Sequence, residues 1–160
     1  MSQREAVLER LKVVTGFCIG VALYNVCSCA FAAEVWLSPG GVSLHQDRSA
    51  GYRERNPGLI LEVREGNHSV LGGQFKNSFS RDSHLLVYRY RAVERAGFGL
   101  GGAVGLVDGY PAGGGDPRPV AAPVASYDHK SVSLLVMAIP PATKEISGWV
   151  AIAAIAWRVW

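Results

Sequence analysis

The sequence predicts an all-β fold, an eight-stranded antiparallel up-and-down transmembrane β-barrel behind an N-terminal export signal. Three observations lead there. Short segments of alternating hydropathy recur eight times across residues 34–160. The connections between them switch between short and long, as in outer-membrane barrels. No stretch of residues 34–160 is apolar for the length of a spanning helix, so a membrane form must be a closed sheet, which pairs its backbone groups without helices.

The leader comes first. Arg4, Arg10 and Lys12 precede an apolar stretch from Val13 to Val26, followed by Ala30-Phe31-Ala32-Ala33. A positive region, an apolar region and a small-residue cleavage site in that order are a secretory signal. The apolar stretch is about 14 residues, short of the roughly 20 a spanning helix needs. An uncleaved anchor is the alternative. Residues 1–33 are expected to be removed, leaving residues 34–160 as one barrel domain. All three cysteines (Cys18, Cys27, Cys29) fall in the leader, so disulfides and cysteine-ligated metals are excluded from the mature part. Asn25-Val26 before Cys27 fits a lipoprotein signal poorly.

The expected strands are Val35–Leu44, Gly58–Arg64, Val70–Lys76, Leu85–Arg91, Phe98–Leu106, Val120–Tyr127, Val132–Ala138 and Trp149–Trp160. Period-2 alternation defines them, and an even count closes a small barrel. The connections at 65–68, 93–97 and 128–130 are short. Those at 45–57, 77–84, 107–119 and 139–148 are longer on average and hold most of the prolines. The long loops then share one outer rim, and the termini lie at the opposite, periplasmic end.

Faces follow from the alternation. Leu71, Gly73 and Phe75 alternate with Gly72, Gln74 and Lys76. Leu86, Tyr88 and Tyr90 alternate with Leu85, Val87, Arg89 and Arg91. Phe98, Leu100, Val104 and Leu106 alternate with Gly99, Gly101, Ala103 and Gly105. The first set of each is expected against lipid and the second toward a narrow, partly polar lumen. A soluble lipocalin-like barrel shares the pattern with the apolar side inward. Trp157, Trp160, Tyr88 and Tyr90, as an interfacial girdle, favour the membrane form.

The chemistry is sparse. A net charge of +3 is spread out, with no lysine and arginine run, so nucleic acid is not expected as a partner. His45, His68, His84 and His129 lie far apart, without metal-ligand spacing. Gly113-Gly114-Gly115 lacks the lysine of a phosphate loop. No cofactor is expected. His45 closes the first strand and Asn77-Ser78 closes the third, both at the outer rim. There an imidazole could take the serine proton while the amide orients the ring; a solvated rim histidine beside ordinary loop residues is the plain alternative.

The segments around these residues resemble the lipid A palmitoyltransferase family of Gram-negative outer membranes. Tyr52-Arg53-Glu54-Arg55-Asn56-Pro57-Gly58 is similar to its Tyr-Asn-Glu-Arg-Pro-Trp-Gly, and Phe75-Lys76-Asn77-Ser78-Phe79 to its Phe-Lys-Asp-Ser-Phe. Gly99-Leu100-Gly101 with Ala103-Val104-Gly105 resembles its fifth strand. Pro123-Val124-Ala125-Ser126 resembles its Pro-Leu-Ala-Ser, and Ile139-Pro140 its Ile-Pro. The resemblance implies acyl transfer from an outer-leaflet phospholipid to lipid A or lipopolysaccharide by an outer-membrane monomer. It assigns the catalytic positions to His45, Asn77 and Ser78, and lateral lipid entry to strand ends near Pro39, Pro57, Pro123 and Pro140.

The departures carry their own expectations. The family has aspartate where this chain has Asn77, which cannot stabilise an imidazolium by charge; the equivalent change in serine proteases costs about 10⁴ in turnover. Few residues separate the leader from Pro39, where the family carries an amphipathic helix, and the first loop is shorter. Arg89 falls where the family has a glycine at the floor of its acyl pocket. Arg89 is expected to face the lumen and pair with Glu62 as a plug, with Lys76 and Arg91 nearby, so that only a short acyl chain fits. Lys76, Arg53, Arg55 and Arg81 are candidates for lipid A phosphates or plain surface charge. Two functions follow: an acyltransferase using Ser78 and His45, or a non-catalytic structural or lipid-binding barrel with a polar-plugged lumen.

Overall fold

Eight antiparallel strands close into a barrel in chain order, each hydrogen-bonded to its sequence neighbours and the last to the first. The computed structural model describes residues 33–49, 51–111, 114–141 and 148–160. The expected leader, with Cys18, Cys27 and Cys29, lies outside the described residues apart from Ala33. So does part of the glycine run, at Gly113. Residues Glu34–Trp160 form one unit.

The strands are β1 (Glu34–His45), β2 (Arg55–Glu65), β3 (His68–Lys76), β4 (Asp82–Arg95), β5 (Phe98–Val107), β6 (Arg118–His129), β7 (Val132–Ile139) and β8 (Val150–Arg158). Every expected strand is present, mostly longer than its apolar core. β4 gains Asp82, Ser83 and His84 at one end and Ala92–Arg95 at the other, because ladder bonds with β3 and β5 override the polarity of those residues. β8 is the exception. It ends at Arg158 rather than Trp160, whose carbonyl still accepts the Val35 amide at 2.8 Å.

Three tight turns, at Gly66-Asn67, Ala96-Gly97 and Lys130-Ser131, share one end of the barrel with both strand termini. Ala96 and Gly97 both have positive φ, 50° and 84°. That geometry matches the right-handed twist of a hairpin. The four longer loops share the other end.

Ladder register fixes the faces. Leu86, Tyr88, Leu100, Val104 and Leu106 are exposed on the outside, and Arg89, Arg91 and Ala103 are buried inside. The third strand is the reverse of the expectation. Phe75 pairs with Gly58 and Ser83, Leu71 with Glu62 and Val87, so Leu71, Gly73 and Phe75 point into the lumen. Lys76 points outward and pairs with Asp82 at 2.8 Å, away from the lumen. Polarity within β3 is too balanced to set its register; the paired faces of β2 and β4 set it instead.

Glycines thin the wall where side chains cannot fit. A Cβ on Gly101 would come 1.8 Å from the Tyr90 carbonyl, beside the β4–β5 bulge between Arg91 and Val93. Gly101→Ala is expected to lower unfolding stability by about 1–3 kcal/mol through overpacking, read from urea titration of the detergent-folded protein. An unchanged midpoint would show that the backbone there yields freely.

Candidate functional site

The lumen is divided along its length. Toward the turns it is charged. The Glu62 carboxylate meets Arg64 at 2.8 Å and Arg89 at 2.7 Å; Asp128 meets Arg64 at 3.1 Å and Arg91 at 3.0 Å. The five groups alternate in sign, Arg89–Glu62–Arg64–Asp128–Arg91. Arg64 also donates to Ser133 at 3.0 Å and lies 4.0 Å above the ring of the buried Trp36. Arg91 reaches the Gly66 carbonyl at 2.7 Å. Buried charge is tolerable only when paired in this way.

Above the charges lies an apolar layer of Ala103, Val124 and Leu135, with Val87 and Met137 against it. On β4, Val87 stands nearer the long-loop end than Arg89 and Arg91; on β6, Val124 stands nearer than Asp128. The layer caps the plug.

Beyond it a cavity of about 420 Å³ opens toward the long loops. Gly41, Phe75, Val120, Ile152 and Ala154 line its walls, and His45, Ser43 and Ser78 its mouth. Neither Glu62 nor Arg89 is among its lining residues, so the arginine does not form its wall. The outward-facing Pro119 and Ala121 also line it, together with Ile139 and Pro140. The cavity therefore reaches the outside of the wall between β6 and β7. The ladder explains why: β6 pairs with β7 only from Val124↔Met137 to His129↔Val132, which leaves Arg118–Pro123 without partners on β7. Pro123 is the first unpaired residue, and a proline lacks the donor to continue a ladder.

The other expected entry prolines divide. Pro39 sits in a second break, where register shifts between Ser38 and Gly40 against β2 and between Leu37 and Gly41 against β8. Pro57 lies within β2, opposite Gly40. Pro140 follows the end of β7.

At the mouth, Ser78 Oγ lies 3.3 Å from Ser43 Oγ. Ser43 shares the inner face of β1 with His45, two residues along. The His45 ring rests against Tyr52 with centroids 4.5 Å apart, and its Nδ1 is buried without a hydrogen-bond partner among the described residues. Tyr52 meets Phe79 edge-on, and Phe79 meets Tyr110. These rings cover one side of the opening. Burial alone raises the Tyr110 phenol above its ordinary pKa, so it stays neutral.

Asn77 does something other than orient the imidazole. It is fully buried. Its Nδ2 donates to Ser83 Oγ at 2.9 Å and the Gly109 carbonyl at 3.0 Å. Its Oδ1 accepts the amides of Phe79 at 2.9 Å and Arg81 at 3.1 Å. The side chain ties the second long loop to the third and is consumed in doing so. Beside it, the His84 amide and ring hold the Asp108 carboxyl below its usual range.

Sequence reading missed Ser43, Arg64 and Asp128. Two-residue spacing from His45 and Glu62 places the first two on the same inner face, a signal that was available. Asp128 reads as a turn residue, and only ladder pairing with Ser133 shows it inside β6. Among the described residues no group of histidine, cysteine or carboxylate side chains suits a metal.

Fold and site define a closed eight-stranded barrel with a half-plugged lumen and an apolar cavity at the loop end. Compared with known protein families and curated proteins, the chain matches none.

Proposed function

We infer that this is an outer-membrane barrel of a Gram-negative bacterium that transfers an acyl chain from a phospholipid to lipid A, through Ser78 and His45. One observation carries the reading: a hydroxyl and an imidazole line the mouth of an apolar cavity that also opens sideways through the wall. Exposed Leu59, Leu61, Leu100, Val104 and Leu134 around the outside, and Tyr88, Tyr90, Tyr127 and Trp157 toward the turn end, suit a lipid-covered belt with an aromatic girdle. The motifs shared with lipid A palmitoyltransferases support the same chemistry.

In this reading Ser78 Oγ attacks the ester carbonyl of a phospholipid whose chain occupies the cavity. His45 takes the serine proton and returns it to the departing lysophospholipid oxygen. A lipid A hydroxyl then attacks the acyl-serine, and its proton passes through His45 back to Ser78. Exposed Arg53, Arg55 and Arg81, with Lys76 at the same rim, offer charge to phosphates. The cavity wall from His45 to Gly41 runs about 13 Å at ~3.3 Å per residue, or roughly 10 Å along the axis after tilt. A carbon–carbon bond of ~1.5 Å then allows a chain of about eight carbons, shorter than palmitate.

The test is expression in a host that makes lipid A and has no such activity of its own. Lipid A should gain the mass of one short acyl group, and Ser78→Ala should remove that species. Unmodified lipid A from cells with properly assembled barrel would support the second reading, a non-catalytic lipid-binding barrel. One observation favours that alternative: the Asn77 amide is committed to Ser83, Gly109, Phe79 and Arg81, leaving His45 without it.

A further inference from the structure

We propose that the charged end of the lumen holds a small inorganic anion of the halide class against Arg89. The series Arg89–Glu62–Arg64–Asp128–Arg91 sets three guanidinium groups against two carboxylates. Its two ends differ. Arg91 reaches a further carboxylate, Glu94, at 3.2 Å toward solvent. Among the described residues, Arg89 reaches nothing beyond Glu62 except a long contact of 3.5 Å with Ser69 Oγ. Yet Arg89 is 1 % exposed, and its Nε and Nη1 have no hydrogen-bond partner. The Nε atoms of Arg64 and Arg91 are likewise buried and unpartnered. A buried cation with idle donors is costly unless an acceptor of opposite charge meets it.

The chemistry of the pocket narrows the ligand. Among the described residues the idle guanidinium nitrogens, Nε and Nη1 of Arg89 and Nε of Arg64 and Arg91, outnumber the one idle carboxylate oxygen there, Asp128 Oδ1, since Glu62 Oε1 meets Arg89, which suits an anion better than water alone. Ser69 and Ala103 flank Arg89 on the neighbouring strands, and the layer of Val124 and Leu135 closes the cavity side. A site so enclosed would suit a monatomic anion and not a lipid phosphate. Access is from the turn end, past the partly exposed Asp128.

The test uses the full chain folded in detergent. At constant ionic strength, replacing gluconate by chloride or bromide should stabilise it, and a halide at one hundred times its Kd should lower the unfolding constant about a hundredfold. Arg89→Met should abolish the difference between the salts. Should that variant fail to fold, Glu62→Gln serves instead; removing the competing carboxylate should tighten halide binding. Bromide-grown crystals should show an anomalous peak beside Arg89. Equal stability in gluconate and halide, or bromide peaks confined to the outer surface, would overturn the site. Lipid A acylation is not part of the readout, so this result and that of the proposed function stand apart.

Discussion

Replacing Glu62 with leucine is expected to cost about 3–5 kcal/mol of unfolding stability, because it strands two buried cations at once. Among the described residues, Glu62 is the sole carboxylate in contact with Arg89 and one of two in contact with Arg64. The double change Glu62→Leu with Arg89→Leu should recover much of the loss, since Arg64 keeps Asp128 and no isolated charge remains. Urea unfolding of the detergent-folded protein, followed by tryptophan emission, reads both. Trp36, under Arg64, reports directly on the plug. A single variant within about 0.5 kcal/mol of the parent, inside the range of an ordinary surface change, would mean the charges are hydrated rather than paired.

Asn77→Asp is the second large effect, and its sign separates two accounts of the rim. If Asn77 were the orienting member of a triad, aspartate would raise acyl transfer by orders of magnitude. The hydrogen bonds argue the opposite. A carboxylate would turn an oxygen toward the Gly109 carbonyl, now met by Nδ2 at 3.0 Å. It would do so in a fully buried position. A lost donor there costs about 1–3 kcal/mol, more for a charged group. The variant should therefore be less stable and no more active on lipid A. A stable variant with increased acylation would restore the triad.

The outer design was readable because it rests on periodicity. Alternation in β4 and β5 is strong, with Leu86, Tyr88, Leu100 and Val104 outside and Arg89, Arg91 and Ala103 inside. The strand count, the order and the placement of His45 and Ser78 at one rim follow from it. β3 resisted because Leu71, Gly73 and Phe75 are no less apolar than many outward-facing sets; only its partners decide which way it turns. The role of Asn77 was hidden for another reason. Its four partners come from residues 79, 81, 83 and 109, and the last belongs to a loop whose approach no local pattern encodes. The apolar layer over the charges was likewise out of reach, since Ala103, Val124 and Leu135 converge across strands that period-2 reading treats singly.

The salt link from Arg64 to Asp128 joins β2 to β6, strands four apart in a ring of eight and so diametrically opposed. It works as a cross-strut. A tube held across its bore at one end cannot flatten there, whatever squeezes it from outside. Any yielding is left to the far end, where β6 and β7 part company. Breathing of the wall should thus be lopsided: a rigid foot, and a mouth free to gape along one seam.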